Sequence, residues 1–193
     1  MQEDEKAQSL SRRDVVIGIT AIAPAAQAAF PPTHLRLIEA IVDRLIPSDE
    51  NGPGARESGV ATYIDRSFAG ALAKEHPAFT AGLAAIDALA RKLHRTAFAE
   101  LDAAKQDAVL TAMEANEASG FTPDSRTFFL RIRQLTLEGM FGDPFYGGNR
   151  NFAGWDLLRY PGPRMAVSAD EQKLRTQAKP LRTSAHRGDQ HGD

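Results

Sequence analysis

There is no cysteine among the 193 residues. That excludes disulfides, thiolate metal sites, thiol nucleophiles, cysteine-bound iron–sulfur clusters and haem c attached through C-x-x-C-H. Stability must then come from core packing rather than cross-links, and any electron-carrying centre in a pathway this chain joins sits mostly on another polypeptide. Tryptophan occurs once and tyrosine three times. Neither sign of charge dominates, with 23 basic and 25 acidic residues, so there is no bulk attraction for nucleic acid or anionic lipid. No apolar run reaches the ~18 residues of a confident membrane span. No alternating apolar pattern of five or more residues suggests a strand, and no internal repeat is visible, so the expected fold class is all-α.

Catalytic and metal signatures are equally scarce. His34, His76, His94, His186 and His191 never pair at i, i+4, and H-E-x-x-H is absent, so the histidines read as solvated surface residues. Asp49, Glu50 and Asn51 begin like a calcium loop, but Pro53 falls at the third ligand position. No serine stands in a G-x-S-x-G elbow. Gly147-Gly148-Asn149-Arg150 makes a poor phosphate cradle, because no strand precedes it and no G-K-[ST] follows.

What is present starts at the N-terminus. Ser11-Arg12-Arg13 stands directly ahead of a soft apolar stretch, Val15 to Ala29, which contains Ala26-Gln27-Ala28. A charged start, two adjacent arginines, an apolar run and an A-x-A cleavage site together have the layout of a twin-arginine export signal. Val16 stands where a bulkier Phe or Leu is commoner, and Asp14 follows the arginines. The competing readings are a hydrophobic N-terminal helix with a chance Arg pair, or an uncleaved tether. Twin-arginine export carries folded proteins, whose cargo either holds a cofactor or travels bound to a partner that does. Removal of residues 1–28 would take away Lys6, Arg12 and Arg13 together with Glu3, Asp4, Glu5 and Asp14, leaving 20 basic and 21 acidic residues of the original 23 and 25.

The remainder divides into a helical domain, 29–163, and a polar tail, 164–193. Pro31-Pro32 opens the domain, and Thr33 is the expected N-cap of a first helix. Leu35, Ile38, Ile41, Val42, Leu45 and Ile46 form its apolar stripe, and Pro47 ends it. Residues 47–59 read as a polar loop. A second helix is expected from about Val60 to Lys74, and a third after the break at His76-Pro77, with Phe79, Leu83, Ile86, Ala90 and Leu93 on one face. Asp102 should cap a fourth helix from Lys105 to Glu117, with Gly120 as its stop. A fifth, from about Ser125 to Met140, carries apolar residues on more than one side, the pattern of a helix buried from two directions. The tail is polar enough to be disordered or to wrap a partner.

The densest cluster of unusual residues lies between Gly139 and Pro161. Phe141, Phe145, Tyr146, Phe152, Trp155 and Tyr160 are six of the fourteen aromatics of the chain. Gly142, Gly147, Gly148 and Gly154 permit close backbone approach, and Asn149, Arg150, Asn151, Asp156 and Arg159 can hold a loop without regular structure. Such a loop either docks its aromatics on another protein, as buried interface centres favour, or covers its own domain. A third possibility is a sugar pocket around Asp143, Arg150 and Asp156 in a stand-alone periplasmic sugar-binding protein or enzyme.

The run Asp43 to Arg66, the stretch GMFGDPFYGGNRNFAGWDLLRYPGP and the twin-arginine start together resemble subunit 3 of gluconate 2-dehydrogenase, the small or gamma subunit of bacterial FAD-dependent sugar and sugar-acid dehydrogenases. The resemblance spans about residues 11–165. It implies a division of labour in which a large subunit binds FAD and oxidises the sugar, a multihaem cytochrome c subunit (haem c) passes electrons to the respiratory chain, and the small subunit, without cofactor, metal or catalytic residue of its own, holds the large one and provides its export signal. It implies a periplasmic location, with membrane association through the complex. The expected export residues are Ser11, Arg12, Arg13, Ala26 and Ala28. The expected packing or partner-anchoring residues are Phe141, Phe145, Tyr146, Phe152, Trp155 and Tyr160, with Gly147 and Gly148 setting the backbone and Arg150 and Asp156 fixing the loop or pairing across an interface. Coupled burial is the expected principle: helix faces and loop completed by the partner.

Overall fold

The computed structural model describes residues 28–173 and 178–186. Those residues form six α-helices and no strand: α1 Pro32–Leu45, α2 Val60–Ala69, α3 His76–His94, α4 Ala103–Glu114, α5 Ser125–Phe141 and the short α6 Ala153–Leu157. The all-α expectation holds, with α6 lying inside the segment read as loop.

Local chemistry explains the boundaries, including those that differ from expectation. α1 starts one residue before Thr33, and the Thr33 hydroxyl caps nothing. Pro32 at the first helical position has its φ already set and has no N–H to leave orphaned, so the proline pair starts the helix without a polar cap. α2 stops at Gly70, well short of Lys74, and a 3-10 turn at Ala73–Glu75 leads into α3. Asp102 caps α4 as expected, its carboxylate accepting from the Lys105 N–H at 3.0 Å. The stop, however, is Asn116 and not Gly120. Asn116 takes φ +63°, its N–H donates to the Met113 carbonyl at 3.0 Å, and the Glu117 N–H reaches back to Ala112 at 2.9 Å, which is the hydrogen-bond pair of a Schellman ending. The Asn116 side-chain oxygen then accepts from the Ser125 hydroxyl at 3.2 Å, tying the end of α4 to the start of α5. Asp124 caps α5 through the Thr127 N–H at 2.8 Å.

α5 is the central helix, touching α1, α2, α4 and α6. Phe128, Phe129, Ile132, Leu135 and Met140 are buried, while Leu130 and Leu137, seven residues apart, face outward. A file of rings runs through the core: Phe30–Phe68 at 5.2 Å, Phe68–Phe79 at 4.4 Å and Phe79–Phe128 at 5.3 Å between centroids. Gly82 of α3 lets this file close, because a Cβ there would lie 2.1 Å from the Phe128 ring. The helices therefore supply their own core, which narrows the expectation of coupled burial to a few exposed residues. Leu93 is one of them at 53% exposure, against its assignment to the core stripe.

His76 also departs from expectation. Its ring stacks on Phe30 at 4.8 Å, and its Nε2 lies 2.9 Å from the Ala29 carbonyl oxygen. Phe30 is 2% exposed and its N–H donates to Asp65 at 3.0 Å. The chain is thus anchored immediately after Ala28. Of the expected export residues, Ala28 is exposed; Ser11, Arg12, Arg13 and Ala26 lie outside the described residues.

Candidate functional site

The Gly- and aromatic-rich segment is an ordered platform laid across the end of α5. Gly142 leaves the helix, its N–H still bonded to Glu138 at 2.8 Å. Asp143 caps a 3-10 turn, Pro144–Tyr146, by accepting the Phe145 N–H at 2.9 Å. Gly147 then turns at φ +101°. Gly148 and Gly154 serve a different purpose: a Cβ at Gly148 would lie 2.1 Å from the Gly139 carbonyl oxygen, and one at Gly154 1.9 Å from that of Met140. The loop backbone rests directly on the last turn of α5, and only hydrogen fits between them.

Asn149 holds this contact together. It is fully buried. Its backbone N–H donates to Gly139 and its side-chain amide to Gly142, both at 2.8 Å, while its side-chain oxygen accepts the Gly154 N–H at 2.8 Å. Asn149, Asn151 and Phe152 all take positive φ, at 45°, 57° and 63°. For a bulky residue such as Phe that conformation is a genuine outlier and persists only where its surroundings over-determine it. Those surroundings include the Arg150 N–H on the Ser58 carbonyl at 2.9 Å and the Trp155 indole N–H on the Phe141 carbonyl at 2.9 Å.

The expected anchors separate into two groups. Trp155 is 6% exposed and packs on Phe152 at 5.3 Å and edge-on to Tyr160 at 5.0 Å. Phe141 and Phe152 are half-buried. Phe145, Tyr146 and Tyr160 face outward at 53%, 47% and 43% exposure, joined by Leu158 at 60%. A groove of about 550 Å³ beside them is lined by Phe141, Asp143, Trp155, Leu158, Tyr160 and Pro161, among others. Arg150 and Asp156 line a different cavity with Asn51, Glu57 and Asn151, so the trio Asp143, Arg150 and Asp156 is not gathered into one sugar pocket. The Arg150 guanidinium lies over Gly59, where a Cβ would meet its Nη2 at 3.2 Å. Among the described residues no cluster of three His, Asp or Glu side chains could hold a metal.

Two features went unread in the sequence. One is the platform under the loop, Ser58 and Gly139, which contribute only backbone carbonyls and so leave no side-chain signal. The other is the chain beyond Pro163. Residues 178–186 lie back along the loop. The Leu181 N–H donates to Pro161 at 2.8 Å, Arg182 pairs with Asp156 at 2.8 Å, the Ala185 N–H donates to Asp143 at 2.8 Å, and the His186 ring stacks on Phe145 at 4.8 Å with its Nε2 3.0 Å from the Tyr146 hydroxyl. Burial opposes ionisation of Asp143, but hydrogen bonds from Ser184, Phe145 and Ala185 outweigh it and hold the carboxyl below its usual range. Against Gly139, Tyr63 donates to Glu138 at 2.9 Å, and burial together with that carboxylate pushes the phenol upward.

The family model for gluconate 2-dehydrogenase subunit 3 matches residues 32–162. The chain belongs to that family. The matched span takes in all six helices and the whole aromatic platform, and it stops at Gly162, ahead of the 178–186 segment. Membership in the subunit 3 family implies a place in a multisubunit dehydrogenase. Neither the curated proteins nor the solved structures give a match.

Proposed function

We propose that this subunit 3 chain is the non-catalytic small subunit of an FAD-dependent sugar or sugar-acid dehydrogenase. It binds the large FAD-carrying subunit, assists its maturation and carries it as a passenger through twin-arginine export to the periplasm, where a multihaem cytochrome c subunit completes the complex. Family membership supports the setting, and the Arg12-Arg13 layout supports the route. The observation that carries the binding role is Phe145 and Tyr146, half-exposed rings on a loop whose backbone is fixed by buried hydrogen bonds. Aromatic side chains presented on a rigid support lose little conformational freedom on docking, which is what interface hot spots require. A stable complex buries about 1,600 Å², more than these two rings provide, so the outward Leu158 and Tyr160 belong to the same contact.

Co-expression with a candidate FAD-binding large subunit tests the reading. Phe145→Ala combined with Tyr146→Ala is expected to lose the flavoprotein from an affinity purification while the small subunit stays folded; full recovery of the flavoprotein would reject the loop as the anchor. Replacing Arg12 and Arg13 with Lys is expected to leave both chains in the cytoplasm. A flavoprotein that still reaches the periplasm would reject the passenger role.

A further inference from the structure

The segment 178–186 lands on the residues to which partner binding has just been assigned. Arg182 meets Asp156, His186 stacks on Phe145 and approaches Tyr146, and the Ala185 N–H is held by Asp143. The contact includes one ion pair, Arg182 on Asp156, and one backbone bond, the Ala185 N–H on the Asp143 carboxylate.

The grip is light. Arg182 and Asp156 are 53% and 45% exposed, and ion pairs that open to water contribute little. Leu181 and His186 remain exposed, so the segment buries scarcely any apolar side chain. Yet the seat is built for it. Gly162 takes φ +86°, and the Leu181 carbonyl oxygen occupies the space where a Cβ would be, 2.1 Å away. The family match ends at this same glycine, so the docking face belongs to the shared domain and the strap to the chain beyond it.

We infer that residues 178–186 are an intramolecular placeholder on the docking face, and that the flavoprotein displaces them with an extended segment of its own, bearing a cation for Asp156 and a flat ring for Phe145. The inference rests on the partner-binding reading above. Its consequence is self-occlusion: a strap closed about 90% of the time weakens the apparent affinity about tenfold, because only the open fraction binds.

Two full-length variants and one exchange measurement test this. Arg182→Ala with His186→Ala loosens the strap without touching the loop, and it should bind the purified flavoprotein several-fold more tightly. Because the chain has no cysteine, Met165→Cys with Thr183→Cys, two residues that line one cavity beside the strap and lie outside the docking rings, creates its only thiols. Joining them with a short, reducible bifunctional reagent should weaken flavoprotein binding at least about tenfold, as expected when the open fraction vanishes, and reductant should restore it. In the free wild-type chain the Leu181 and Ala185 amides should be slow to exchange hydrogen, and they should lose that protection when the flavoprotein is added. Equal or weaker binding by the loosened variant, or unchanged binding by the locked one, overturns the inference. Fast exchange at both amides in the free chain overturns it without reference to the partner. If the amides are protected but the flavoprotein binds neither the wild-type nor the loosened chain, the partner-binding reading itself fails, and this inference with it.

Discussion

The side-chain oxygen of Asn149 accepts the Gly154 N–H at 2.8 Å, inside a fully buried site. One residue thereby joins the two ends of the aromatic platform, since its amide also donates to the Gly142 carbonyl. Asn149→Ala would strand the buried Gly154 N–H and the partly buried Gly142 carbonyl at once. An unsatisfied buried group costs about 1–3 kcal/mol, so a loss of about 2–4 kcal/mol is expected in chemical denaturation. A loss below about 0.5 kcal/mol would show that the loop does not depend on this side chain.

Glycine substitutions should separate two reasons for glycine. At Gly148 the obstacle is the Gly139 carbonyl, 2.1 Å from where a Cβ would sit. Overpacking of this kind costs about 1–3 kcal/mol or more, and Gly148→Ala should also change the near-UV spectrum of Trp155. At Gly120, φ is +94° but no atom lies within 4 Å of the added carbon. Gly120→Ala should therefore show only the intrinsic left-handed penalty of about 1–2 kcal/mol, with the Trp155 signal unchanged.

The rings of the platform should divide by burial. Trp155→Ala removes a 6%-exposed side chain and its hydrogen bond to Phe141, for an expected loss of about 3–5 kcal/mol. Phe145→Ala and Tyr146→Ala remove half-exposed rings and should each change stability by about 0.5 kcal/mol. Thermal melts of the three variants check this. The comparison also shows why loss of a partner in a Trp155 variant would be ambiguous, whereas loss in a Phe145 or Tyr146 variant would not.

Asp143 gives the strap a pH signature. Its carboxyl is held below the usual value by Ser184, Phe145 and Ala185, with the His186 ring alongside adding to the effect. A carboxylate with a depressed folded value stabilises the contact fully above its unfolded pKa of about 3.9, and that stabilisation fades as pH falls through the folded value. Amide protection at Ala185 should therefore hold steady from pH 7 to pH 5 with respect to this group and decline below about pH 4. Asp143→Asn should remove that acid-side decline. If it persists in Asp143→Asn, another group is responsible.

The helices were legible because apolar residues at three- and four-residue spacing report burial directly, as with Ile38, Ile41 and Val42 or Leu83 and Ile86. Asp102 and Pro47 were legible because each acts on its immediate neighbours. Helix ends that depend on distant partners were not. Asn116 outcompetes Gly120 because its side chain also bridges to Ser125, a contact no local rule contains. Leu93 keeps the spacing of its stripe but sits on a last turn where residues 91–93 are all exposed; periodicity gives the face of a helix, not where its neighbours end. In the platform, the composition of glycine, asparagine and aromatics marked an ordered loop. Which rings would be spent inside and which left outside was fixed by the α5 carbonyls, which are invisible in sequence.

Phe30 changes how the domain should be delimited. The family match begins at residue 32, yet the ring two positions earlier stacks on His76 and meets Phe68 and Phe79 edge to face or tilted. A polypeptide begun at Pro32 would carry every helix and still have a ring-sized hole beneath its first turn, worth about 3–5 kcal/mol. Recombinant versions trimmed to the family borders should melt early for that reason alone, and a weak interaction measured with them would report on the missing wedge instead of on the docking face.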